Sequence, residues 1–350
     1  MIWLTWRQVR LQALIVVGAV AVLAVVLLVT GPGLADDYQR YPTGFLKQIQ
    51  FDRINQYLYI AGQALMYAAP PVIGAFWGAP LIARELEAGT HRLVWNQSIT
   101  RTRWLVTKLA VTGLGAIAVT GLLSLAVSWW ADPIDDAVNS GQAAGPFNVP
   151  RLLPPVFGAR GVVPIGYAAF AFALGVAVGL LVRRSVVAIA LTLAGVIALQ
   201  ILSPILIRPH LMTPAETTVV VTAENMRGLQ LSGPEDNATV VRVEAKLPGE
   251  GNWKLSEQTV NAAGQAQKTL PSYVAECGPP PPDATPEQTR TRKPLSECFQ
   301  RLADDGYRQQ ISYHPADRFW ALQWREAGLF LTLGLLLTGF CFWRIRRDLT

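Results

Sequence analysis

Six stretches of almost unbroken apolar sequence, 11–30, 58–83, 109–131, 161–182, 185–207 and 327–343, restrict this chain more than any other feature. A helix crossing the hydrocarbon core of a bilayer needs roughly 17–25 largely apolar residues, and each stretch meets that length. Lipid offers no partners to backbone amides and carbonyls, so runs of this length without period-two alternation must satisfy their own hydrogen bonds as helices. The expected fold is a polytopic α-helical membrane protein with six transmembrane helices. Composition agrees, since 51% of the 350 residues are hydrophobic and 15% charged, against about 25% charged in soluble domains. The first run is too long for a secretory signal, and "TGPGLADDYQ" after it lacks a small-x-small cleavage site, so it reads as a retained anchor.

Orientation follows from Lys and Arg in the short loops. With the N-terminus inside, segments 1–10, 84–108, 183–184 and 344–350 hold twelve Lys/Arg, whereas the longer outer loops, 31–57 and 131–160, hold five. Both termini are therefore expected in the cytoplasm. Trp104, Trp129, Trp130, Trp320, Trp324 and Trp343 fall at span ends, where an amphipathic ring prefers to sit. The net charge of +6 is explained by this asymmetry, and no basic-aromatic motif points to nucleic acid.

Residues 208–319, 112 in all, are expected outside the cell and are long enough to fold independently. "TTVVVTA", "ATVVRVEAKL" and "YRQQISYH" read as strands, and "PLSECFQRLADDG" as a short helix closed by Gly306, giving a mixed, β-rich extracellular domain. Cys277 and Cys298 flank a Pro-rich polar loop and are expected to form a disulfide across it, with two free thiols as the alternative. Cys341 stands alone near the inner end of the last span.

Several classes of chemistry lack their residues. No G-x-x-x-x-G-K-[ST] loop occurs, His91, His210 and His314 are isolated from metal-ligand companions, and there is no G-x-S-x-G elbow. No catalytic residue, no metal and no cofactor is expected in this chain. The spans carry almost no ionisable group at mid-depth, which disfavours an ion-driven relay. Gln63, Thr112, Thr120, Ser124, Thr192, Gln200 and Ser203 are read as ordinary helix–helix hydrogen-bonding groups or, alternatively, as cavity lining. Gly175 and Gly179 are spaced for close helix approach, and Pro70, Pro71 and Pro80 should break or kink the second span.

The remaining feature is "RELEAGTHRLVWNQSITRTRWLVTKL", a charged segment between two apolar runs. Gly89 ends one helix, Thr90 can cap a short one over "HRLVWNQ", and Ser98 or Thr100 can cap the third span. The plain alternative is an interfacial loop that only binds lipid head groups and fixes topology. The pattern Arg84-Glu85-x-Glu87-x-Gly89-Thr90, then Ile99-Thr100-Arg101-x-x-Trp104 and Lys108, resembles the loop after the second helix in ABC-2 type permeases, the membrane subunits of ATP-binding-cassette (ABC) exporters. A short amphipathic start, six spans and an insertion before the sixth are similar to type V exporters, including G-class half-transporters and polysaccharide exporters. "MIWLTWRQ" and "YHPADRFWALQWREAGLFL" resemble actinobacterial permeases encoded separately from their ATPases.

The resemblance implies that residues 84–108 form a coupling loop, with Arg84, Glu85, Glu87, Gly89, Thr90, Arg92, Trp95 and Arg101 facing an ABC ATPase. It also implies a connecting helix over residues 1–10, in which Ile2, Trp6 and Val9 share a face, and Arg7 or Arg10 is expected to pair with Glu85 or Glu87. The spans and coupling loop would occupy 11–207, the external domain 208–319, and the last span with a basic tail 320–350. Implied partners are two ATPase copies, which bind the ATP and Mg, a second permease chain, and lipid. The function implied is ATP-driven export of an amphipathic substrate such as a drug, antibiotic or lipid. The alternative is a non-transporting subunit whose external domain senses or acts on envelope components or peptide antibiotics.

Overall fold

The computed structural model describes residues 2–89, 100–232, 239–277 and 293–348. Among them are six helices long and apolar enough to cross a membrane. The chain divides into two compact units, residues 1–212 with 317–350, and residues 213–316.

In the first unit, helix α1 (Ile2–Arg40) runs unbroken through Pro32. Residues 2–10, where a connecting helix is expected, lie on the same helix as the first span. Proline removes one backbone donor, but stopping the helix in apolar surroundings would strand several more groups. Local side chains also help, as Thr30 Oγ1 donates to the Val26 carbonyl at 2.9 Å and accepts from Trp130 Nε1 at 2.9 Å.

Helix α2 (Arg53–Val72) begins at Asp52, whose carboxylate accepts the Ile54 amide at 2.9 Å. After Pro70 and Pro71 the chain widens into a π-helical turn, Ile73–Gly78, and resumes as α3 (Ala79–Glu87). The expected break takes this gentler form, because a wider turn accommodates missing donors without ending the helix. Helix α4 (Arg101–Asn139) is capped by Thr100, whose hydroxyl accepts the Arg103 amide at 3.3 Å, and continues beyond the apolar run through Asp132–Asn139.

Helix α5 (Val163–Val182) is the spine of this unit. Its apolar window is 61% buried, against 11% for α1, and it packs on α2, α3 and α4. It also packs on α6 (Ser185–Leu202) and on α8 (Phe319–Asp348), the helix that follows the second unit. Gly175 lies against Gly74 and Gly78, and Gly179 against Ala79, so closely that an added Cβ at either would strike backbone. Two small-residue faces thus cross, as the GVAVG spacing predicts. Of the polar residues in the spans, Thr112 and Thr120 donate to carbonyls of their own helix, Ser124 donates to the Gly161 carbonyl and Gln200 to the Tyr67 carbonyl, while the buried Thr192 hydroxyl has no hydrogen-bond partner among the described residues.

The second unit holds an antiparallel four-stranded sheet of order β1 (Ala215–Val219), β6 (Arg308–His314), β4 (Trp253–Val260), β5 (Ala266–Gln267). A separate hairpin joins β2 (Met226–Ser232) to β3 (Thr239–Ala245). The Glu257 carboxylate of β4 is buried, accepting the Ala245 amide at 2.7 Å and the Lys254 ammonium at 2.6 Å, which ties the sheet to the hairpin. Helix α7 (Leu295–Asp304) buries Phe299 and Leu302 in a core with Val243 and Ile311. It ends at Gly306, whose φ of 82° suits the residue after a helix. A disulfide joins Cys277 to Cys298 with Cα atoms 6.3 Å apart, and Cys341 is a buried free thiol. Burial, together with the hydrogen bond to the Asp305 carboxylate at 2.7 Å, raises the Tyr273 phenol above its ordinary range.

Candidate functional site: two charged ends of the helical unit

Contacts along α5 fix the direction of its neighbours. Gly161 approaches Gln323, Gly166 approaches Ala327 and Gly334 approaches Ala169, so α8 runs parallel to α5. Gly113 meets Phe172 and Gly121 meets Ile165, so α4 runs antiparallel. The C-termini of α3, α5 and α8 therefore share one end with the N-termini of α4 and α6.

At that end, the last turns of α3 carry Arg84, Glu85 and Glu87, and Gly89 follows with φ 70°, its amide bonded to the Leu86 carbonyl at 3.3 Å. Glu85 forms an ion pair with the Lys108 ammonium of α4, and the two side chains are 14% and 5% exposed. Lys108 also donates to the Leu81 carbonyl at 3.3 Å and sits 5.0 Å from the centre of the Trp104 ring. Glu87 caps α6, its carboxylate accepting from the Ser185 amide at 2.9 Å and the Ser185 hydroxyl at 2.7 Å. A carboxylate at a helix N-terminus meets unpaired amides and the positive end of the dipole. The two acidic residues thus fasten the end of α3 to α4 and to α6.

Thr90, Arg92 and Trp95 lie outside the described residues, as does the short helix expected over "HRLVWNQ". Arg101 opens α4, and Trp6, Arg7 and Arg10 lie on the backbone of α1, but their side chains are outside the description, and so is the expected pairing of Arg7 or Arg10 with Glu85 or Glu87. Lys108 and Ser185 are the described partners. Lys108 stands at the head of one apolar run and Ser185 at the head of another, and nothing in their spacing pairs them with Glu85 and Glu87.

The opposite end carries a second constellation, which sequence reading missed. Glu326 on α8 is fully buried and bonds Arg208, which follows α6, at 2.6 Å to Nε and 3.1 Å to Nη2. The same carboxylate accepts from the Tyr167 hydroxyl of α5 at 2.7 Å and the Ser203 hydroxyl at 2.9 Å. The Arg208 guanidinium lies 4.1 Å from the centre of the Phe157 ring. Beside this cluster, Arg160 pairs with Asp135 at 2.7 Å, both side chains nearly inaccessible. Gln323 caps α5 by accepting the Val162 and Val163 amides at 3.0 Å. Glu326 is seven residues, about 10 Å, from the start of α8. The pairs therefore stand near the helix ends. Sequence reading placed Arg208 in the insertion and left Glu326 just before the last span.

Among the described residues there is no group of three or more His, Cys, Asp or Glu able to hold a metal ion. The geometry supplies fastening points between helices, and six membrane-length helices around a central spine define a polytopic membrane protein. The chain belongs to the family described as ABC-2 membrane transporter related, whose sequence profile matches residues 17–208. It is thus an ABC-2 type permease, a membrane component of an ABC transporter, a class that works with a partner ATPase. No curated protein and no solved structure matches the chain.

Proposed function

We propose that this chain is the membrane-spanning subunit of an ATP-driven ABC exporter of the bacterial plasma membrane, passing an amphipathic drug, antibiotic or lipid. Two chains and two copies of a separate ATPase make the assembly; ATP and Mg bind to the ATPase, and this chain catalyses nothing. Both termini and residues 84–108 face the cytoplasm, and 208–319 face outward, as the distribution of Lys and Arg supports.

The observation that carries this reading is the double fastening of α3. An ATPase pushing on the segment that begins at Gly89 would load α3 directly, through Glu85–Lys108 it would load α4, and through Glu87–Ser185 it would load α6. A loop that merely bound head groups would need no such bracing. Three helices moving together is what switching a cavity between two permease chains requires.

The test is ATP hydrolysis by a partner cassette ATPase, alone and reconstituted with this chain. Stimulation by the wild type that Gly89→Pro and Glu85→Gln reduce at least several-fold is the expected result. Failure of any cassette ATPase to associate would overturn the reading. The separately folded, disulfide-bonded unit 213–316 favours a second reading, envelope sensing or action by that unit. Substrate flux in proteoliposomes separates the two.

A further inference from the structure

Between α4 and α8, over one face of α5, runs an apolar groove of about 460 Å³. One wall is the stripe Val106, Ala110, Gly113, Ile117 of α4, the other the stripe Leu331, Leu335, Thr338, Phe342 of α8. The floor is made of Ala169, Phe172 and Ala173 of α5, and the small residues Gly113 of α4 and Gly334 of α8 leave room between the two walls. From Val106 to Ile117 the groove extends for about 16 Å at the helical rise.

Each wall, continued by one further turn toward the same end, reaches an arginine. On α4 that residue is Arg103, three before Val106; on α8 it is Arg346, four after Phe342, so both lie on the groove-lining stripes. A second hollow of about 400 Å³ adjoins the groove at Phe342 and is lined by Gly339, Trp343, Arg346 and Arg347. The Arg347 guanidinium rests 5.4 Å from the centre of the Trp343 ring, and the Arg103 and Arg346 side chains are exposed. Among the described residues neither Arg103 nor Arg346 forms an ion pair with a carboxylate. Two cations at one mouth of an otherwise apolar channel match a ligand with a single anionic end and a long hydrocarbon body.

The geometry points to a binding site for an anionic phospholipid of the bilayer, with an acyl chain in the groove and its phosphate at Arg103 and Arg346. Basic pockets at the ends of transmembrane helices select anionic head groups. Neither the coupling loop nor the path of an exported substrate enters this argument.

Purified full-length protein in neutral detergent, equilibrated with equal amounts of phosphatidylglycerol and phosphatidylcholine, would be analysed by native mass spectrometry for retained lipid. Two arginines acting together predict a preference for phosphatidylglycerol of roughly tenfold or more. Arg103→Gln/Arg346→Gln should abolish that preference, and Ala110→Phe, at an exposed groove position that tolerates bulk, should reduce retention of both lipids. Equal retention by the wild type overturns the site, as does a preference that survives the double substitution. Glycerol phosphate competing as well as the lipid would show a free anion site instead and overturn the groove, and an unchanged Ala110→Phe would do the same.

Discussion

The two ends of the helical unit handle charge in opposite ways. At one end Glu326, Arg208, Tyr167 and Ser203 form a closed network, with the carboxylate and guanidinium at most 1% exposed. At the other, Glu85 keeps 14% exposure against Lys108, and Glu87 caps α6 from an exposed position. A fully desolvated ion pair is costly to separate because each charge would be left without water or partner, whereas a partly hydrated pair can exchange partners at modest cost. One end is thus built to hold α5, α6 and α8 in a single arrangement. The other keeps partial access to water at Glu85 and Glu87, and it is the end at which α3 closes with Gly89.

The largest effect that can break this comparison is expected at Glu326. Glu326→Gln leaves Arg208 charged and buried, and should cost about 3–5 kcal/mol of unfolding free energy, measured by denaturation in detergent. Replacing both partners, Arg208→Met with Glu326→Met, removes the stranded charge and should recover more than half of that loss. If Glu326→Gln costs no more than Glu85→Gln, the two ends are energetically alike and the contrast falls.

The sequence made one of these ends legible and left the other hidden. Glu85, Glu87 and Gly89 announce themselves because a charged, glycine-terminated turn between apolar runs is rare. Arg208 and Glu326 are 118 positions apart, on either side of a separately folded insertion, and no periodicity connects them. The six helices were readable from hydropathy, but their ends were not. Asp132–Asn139 looks like loop by polarity, yet it continues α4 because Asp135 finds Arg160 and the helix keeps its backbone bonds. Gly175 and Gly179 were readable as a close-approach face, though their counterpart at Gly74 and Gly78 required the structure.

That crossing offers the next test, because α5 connects the two ends. A Cβ at Gly175 would meet the Ala79 amide nitrogen at 2.7 Å and the Gly78 carbonyl carbon at 3.0 Å, both of them backbone atoms unable to rotate away. Gly175→Ala should destabilise by about 3 kcal/mol, near the upper end for overpacking. Gly115→Ala, where an added Cβ has nothing within 4 Å, should be neutral or stabilising. Equal losses at the two positions would show that α5 does not transmit strain through this contact.

Glu85→Gln should cost about 2 kcal/mol, between the values for exposed and buried pairs. Its distinguishing effect is functional, a several-fold loss of ATPase stimulation while thermal stability stays well above that of Glu326→Gln. A variant with full stimulation would remove α4 from the path of force.

The smallest expected effect separates fastening from capping. Ser185→Ala removes the 2.7 Å hydroxyl bond to Glu87 but keeps the 2.9 Å backbone amide bond. Losing one solvent-exposed hydrogen bond should leave thermal stability nearly unchanged, because water replaces the lost partner. Glu87→Gln at the same junction keeps both acceptor contacts and loses only the charge at the α6 N-terminus, an effect that salt screens. If α6 is loaded through geometry, stimulation should fall more with Glu87→Ala, which removes both bonds, than with either milder change. If it is loaded through charge, Glu87→Gln should match Glu87→Ala, and 0.5 M salt should weaken the wild type to the same level. The rank of these three variants therefore reports whether the adjustable end works by contact or by field.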